Sequence, residues 1–179
     1  MKTDTSQDYG EVIANCKELF SKKTQDYGTA WRILRLPSIT DQILIKAQRI
    51  RSIQEKGQQK IEDDVISEFL GIINYCLIAL IQIDLEETTE LEISWDQLEP
   101  LYDQAVQETK NLLQNKNHDY DEAWRDMRIS SITDIILMKL FRVKQIEDNQ
   151  GQTLVSEGIK ANYQDIINYA VFCLIKLTE

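Results

Sequence analysis

Two lysines stand where apolar residues belong. On a helical wheel Lys46 shares a stripe with Ile39, Ile43, Ile50 and Ile53, and Lys139 shares one with Ile132, Ile136, Val143 and Ile146. A desolvated ammonium is costly unless an anion or a polar cavity receives it, so the pair points to phosphate binding. Arg49 and Arg142 follow at the stripe's edge and would share that task. The alternative is a structural salt bridge in which the alkyl stem covers core.

Oxygen donors lie further along. Glu157, Ala161, Asp165 and Asn168 recur at i, i+4, i+8 and i+11 and so occupy one helical face. Two carboxylates and an amide oxygen suit Mg²⁺, with water and substrate phosphate completing the octahedron, and Glu157, Asp165 and Asn168 are the expected ligands. The corresponding face earlier in the chain reads Asp63, Ser67, Gly71 and Asn74 and is poorer in acid. Against the metal stand two plain roles: Asn74 and Asn168 would fix register across a helix interface, and Asp165 would neutralise Lys139.

Aromatic residues accompany the cations. Tyr27 and Trp31 precede Arg32 and Arg35, and Tyr120 and Trp124 precede Arg125 and Arg128. Rings beside guanidinium groups can stack on a base and clamp a phosphate, so Tyr27, Trp31, Tyr120 and Trp124 are candidate base contacts and Arg32 and Arg125 candidate phosphate contacts. The alternative has these rings plugging the end of a bundle. The single histidine, His118, replaces Gln25 of the earlier copy and reads as a surface residue. No Gly-rich phosphate loop, HExxH motif or Ser/His/Asp set occurs, which leaves nucleophilic catalysis without apparatus.

These features come in pairs because the chain is duplicated. The stretch from Lys22, KKTQDYGTAWRILRLPSITDQILIKAQRIRSI, returns from Lys116 as KNHDYDEAWRDMRISSITDIILMKLFRVKQI. After a small length change the register recovers at Ile72-Ile73-Asn74-Tyr75 against Ile166-Ile167-Asn168-Tyr169. Two prolines and six glycines in 179 residues, with no sustained alternation, predict an all-α chain. Helices are expected near Val12–Phe20, Ser38–Ile53, Ile61–Ile83, Trp95–Leu113, Ser131–Ile146 and Leu154–Leu177. Ser38 with Asp41, and Ser131 with Asp134, form the S-x-x-D pattern of a capping box. Pro100 fits the first turn of the fourth helix.

The expected architecture is a tandem duplication of a three-helix unit, packed as a pseudo-twofold six-helix bundle. It divides into a first repeat over residues 1–84, an acidic linker over 85–94 and a second repeat over 95–179. The third helix of each unit is apolar nearly all round, so the units should meet there as an intramolecular pseudo-dimer.

A net charge of -10 opposes nucleic-acid binding, although nine carboxylates without any Lys or Arg are concentrated between Asp84 and Thr109. Cys16, Cys76 and Cys173 lack CxxC spacing and read as reduced core thiols. The start of the chain has no apolar signal region, and the run Phe69–Ile83 is short for a membrane span and interrupted by Asn74 and Gln82. A cytoplasmic protein without membrane or nucleic-acid partners is expected.

The order DYG-x-x-W, then K-x-x-R on one helix, then D-x-x-N-Y on a long apolar helix resembles the bacterial and phage family called nucleotide-modification-associated domain, type one. Both units carry the resemblance. The matching positions are Asp26, Tyr27, Gly28, Trp31, Lys46, Arg49, Asn74 and Tyr75, and Asp119, Tyr120, Trp124, Lys139, Arg142, Asp165, Asn168 and Tyr169. Asp121 for Gly28 and Gly71 for Asp165 are departures. The family's name implies a link with nucleotide metabolism or modification without fixing an activity. A remoter architectural likeness is to the all-α nucleoside triphosphate pyrophosphohydrolases, whose paired ExxE and ExxD signature is missing here.

The leading expectation is a helical protein binding a nucleotide or other phosphorylated small molecule, extended to Mg²⁺-dependent phosphohydrolysis if the acids hold metal. The alternative is a non-catalytic interaction scaffold whose repeated charges are internal ion pairs.

Overall fold

The computed structural model describes residues 4–57, 62–120, 122–153 and 158–179, with side chains omitted for 62, 63 and 117–120. It has six α-helices and no strand among these residues. They are α1 (Thr5–Tyr27), α2 (Leu36–Lys56), α3 (Glu62–Asp84), α4 (Trp95–Tyr120), α5 (Ile129–Asp148) and α6 (Ile159–Thr178). Single 3-10 turns, Ala30–Ile33 and Ala123–Asp126, sit at the same place in each repeat.

The helix boundaries follow local chemistry. Asp4 caps α1 by accepting from the Ser6 and Gln7 amides, and Gly28 ends it at φ 61 and ψ -142, a conformation natural only to glycine. Helix α2 starts two residues before Ser38, with Pro37 tolerated in its first turn, and α5 starts two residues before Ser131, with Ser130 at the proline's place. That early start overturns the capping-box expectation. Asp41 and Asp134 lie inside their helices and pair across the molecule instead, Asp41 with Lys144 at 3.2 Å and Asp134 with Arg51 at 3.4 Å. Pro100 lies inside α4, past its first turn, and α4 runs on to Tyr120.

Helices α2, α3, α5 and α6 make the centre, with α3 against α6 and α2 against α5, while α1 and α4 each touch both α3 and α6. One continuous core results. Ile72, Ile73, Leu77 and Ile81 of α3 and Ile166, Ile167, Ala170 and Val171 of α6 are fully enclosed within it. By length and composition α3 could cross a membrane over Asp64–Asp84, longer than the run read from sequence, and 56% of that apolar window is buried inside the protein.

The twofold is written in reciprocal contacts. Asn74 accepts from the Tyr102 hydroxyl at 2.9 Å and donates to the Cys16 carbonyl at 3.0 Å. Asn168 accepts from Tyr9 at 2.8 Å and donates to the Thr109 carbonyl at 3.2 Å. Each repeat thus lends a tyrosine to the other's asparagine. Burial pushes both phenols well above the usual tyrosine range, so they remain donors. The three cysteines are buried free thiols.

Candidate functional site

Lys23 near the end of α1, Lys46 on α2 and Gly71 on α3 are three corners of one pocket in the first repeat. Its volume is about 370 Å³, and Trp31, Tyr75 and Ile78 line it as well. The lysine stem lies directly over the glycine: a Cβ added to Gly71 would sit 3.0 Å from Lys46 Cε and 3.2 Å from its Nζ. The ammonium is 5.7 Å from the centre of the Tyr75 ring. Its carboxylate neighbour is Glu68, at 3.5 Å, which also takes Arg49 at 3.3 Å. Lys23 is exposed and makes no ion pair with a described residue.

The second repeat answers position by position, with an acid in the glycine's place. Lys116 takes the place of Lys23, Lys139 that of Lys46, and Asp165 that of Gly71. Asp165 reaches Lys116 with one oxygen at 2.9 Å and Lys139 with the other at 3.0 Å. The side chains of Lys139 and Asp165 are only 12% and 9% exposed. Where Ile78 leaves space, Phe172 stacks flat on Trp124, centroids 4.3 Å apart and planes at 2°.

Several sequence expectations change accordingly. Arg32 does not face the pocket as a phosphate clamp. It donates to the carbonyls of Glu90 at 3.1 Å and Thr88 at 2.8 Å and bonds Gln82, tying the acidic linker to the first repeat. Arg125 is spent on Glu122 at 2.9 Å and Glu179 at 2.7 Å and lies 4.5 Å above the Trp124 ring. Trp124 is therefore a plug between Phe172 and Arg125, with no face left for a base. Tyr27 is 74% exposed at the pocket mouth, and Trp31 forms its wall. Arg142 is exposed in α5. The side chain of Tyr120 lies outside the described residues.

Two of the three expected metal ligands, Asp165 and Asn168, lie among the described residues. Asp165 is engaged by two lysines, both polar atoms of Asn168 are used in the core, and Glu157 lies outside the described residues. Among the described residues no group of three His, Cys, Asp or Glu side chains could hold a metal ion. The indole N–H groups of Trp31 and Trp124 are both buried without a partner.

Residues 23–83 and 116–177 each match the family described as nucleotide modification associated domain 1. The chain belongs to that family, in two tandem copies. The two segments begin at Lys23 and Lys116 and end in α3 and α6, so each spans one complete set of the positions just compared. No curated protein and no solved structure matches the chain.

The sequence placed Asn74 and Asn168 at a helix interface but their tyrosine partners were missed, although a signal was present. Extending the repeat backwards pairs Tyr9 with Tyr102, Cys16 with Thr109 and Leu19 with Leu112. The duplication therefore includes α1 and α4, and tyrosines repeated opposite repeated asparagines mark a polar contact.

Proposed function

We propose that the first repeat binds a nucleotide or a related phosphorylated small molecule, and that the second repeat is its closed partner. The phosphate lies between Lys23 and Lys46 above Gly71, and the planar part rests against Trp31 and Tyr75, with Tyr27 at the mouth. One observation carries this: the same lysine pair is bridged by Asp165 in one repeat and meets a glycine and an open pocket in the other. A pocket with apolar and aromatic walls and a few convergent charges is the usual form of a small-molecule site. The family's description favours a nucleotide over other phosphorylated compounds.

Binding, rather than hydrolysis, is what the geometry supports. Magnesium enters as a counter-ion carried on the ligand's own phosphates, which is how it commonly meets proteins. Buried free thiols suit a reducing compartment, and we place the protein in the cytoplasm. The internal-scaffold alternative applies to the second repeat, where lysines and acid satisfy each other.

The test is calorimetry with nucleoside mono-, di- and triphosphates, with and without Mg²⁺, on the full chain and on Lys23→Met/Lys46→Met. The expected result is one site per chain, weakened at least about tenfold in the variant, since losing one or more charge-assisted contacts removes about 1.5–3 kcal/mol each. The variant should keep its helical circular dichroism. Absence of heat and of thermal shift across the panel would refute the proposal.

A further inference from the structure

In the second repeat the Asp165 carboxylate ties three helices together. It stands on α6, takes Lys116 of α4 on one oxygen and Lys139 of α5 on the other, and is almost fully enclosed. In the first repeat the equivalent helices α1, α2 and α3 present Lys23, Lys46 and a glycine to a pocket, so the tie is missing. The two lysines themselves stand at equivalent positions in both copies. The two cations have been kept, while the acid has been deleted in one copy and the neighbouring aromatic ring, Phe172, exchanged for the smaller Ile78.

We infer that Asp165 is a built-in occupant of a second anion site, homologous to the first-repeat pocket. The group bound in the first repeat is correspondingly an oxyanion that gives one oxygen to each of two ammonium groups. This rests on the proposed pocket function and deepens it in two ways. It defines how the ligand's anionic end is held, and it states that one chain contains two such sites, of which one is permanently filled from within. A phosphate or a carboxylate satisfies that chemistry, and the aromatic wall makes the phosphate of a nucleotide the favoured source. Glu68 does not fill the first site in the same way, because it stands a turn away at the position of Asn162 and divides its oxygens between Lys46 and the exposed Arg49.

The experiment opens one site and fills the other. Asp165→Gly, alone and with Phe172→Ile, should add a second binding site for inorganic phosphate, raising the stoichiometry from one to two per chain. Gly71→Asp should remove the first, its new carboxylate taking Lys46 as the flexible stem moves aside. Acetate, run in parallel, should compete in both opened sites but more weakly than phosphate. If wild type binds one phosphate and Asp165→Gly still binds one, the inference fails while the pocket proposal stands. If wild type binds none and Asp165→Gly binds one, the pocket proposal and the claim of two sites per chain fail, and only the reading of Asp165 as occupant of its own site is upheld. Should Asp165→Gly not fold, Asp165→Asn and Gly71→Asp decide. Phosphate must raise the melting temperature of Asp165→Asn more than that of wild type, and Gly71→Asp must lose its phosphate response. Failure of either overturns the inference.

Discussion

Replacing Asp165 by Asn keeps shape and removes charge, leaving Lys139 with its ammonium enclosed and no carboxylate. The wild-type pair is 3.0 Å apart with side chains 12% and 9% exposed, while the second partner, Lys116, is 43% exposed and can turn to water. The cost therefore falls on Lys139. Removing one member of a buried pair typically destabilises by 3–5 kcal/mol, and because this one lies near the surface we expect about 3 kcal/mol. For a chain of this size that corresponds to a melting point lower by about 6–12 °C. Urea unfolding at constant m-value is the assay. Two companions sharpen it. Lys139→Met added to Asp165→Asn should recover more than half the loss, because no uncompensated charge then remains. Glu68→Gln, the partner of the more exposed Lys46 and Arg49, should cost no more than about 1 kcal/mol. A midpoint for Asp165→Asn that coincides with wild type would refute the reasoning, since Lys139 would then have found water for itself.

Two further outcomes can be measured. Tyr102→Phe leaves the Asn74 carbonyl oxygen buried without its donor and should cost about 1–3 kcal/mol in urea, with Tyr9→Phe costing a similar amount through Asn168. Glu147, opposite Thr40 and Tyr163, is held above the ordinary carboxyl range, first by burial and then, more weakly, by the negative charges of Asp41 and Asp148. One of its oxygens has no hydrogen-bond partner. A raised folded-state pKa means that the native state binds the extra proton, so this group's contribution to stability falls as pH rises from the unfolded value through the folded one. Glu147→Gln should therefore raise the melting point at neutral pH and have little effect below pH 4, as thermal scans across that range would reveal.

The duplication and the helical class were legible because both rest on spacing, which sequence preserves directly. The inward lean of Lys46 and Lys139 was legible for the same reason. What each lysine meets was not, since Asp165 and Gly71 lie on a different helix and only packing brings them over the lysines. Sequence placed the metal ligands in the second repeat because it is richer in acid; in three dimensions Asp165 is taken there by two lysines, and the poorer copy holds a pocket. Arg32 and Arg125 looked alike on paper, yet one meets linker carbonyls and the other a cluster of carboxylates. Asp41 and Asp134 had the spacing of caps, but both helices start two residues earlier and leave these acids for cross-repeat ion pairs.

The exchange of tyrosines between repeats has a consequence for how this chain can change. A lesion at Tyr9 is felt in the half that contains Asn168, and one at Tyr102 in the half that contains Asn74, so neither copy can erode at that seam without harming its sibling. No such mutual hostage holds Gly71 to Asp165, whose lysine neighbours belong to their own copy. Divergence is thereby steered away from the shared seam and toward Gly71 and Asp165, where one copy has an open pocket and the other a carboxylate locked between two lysines.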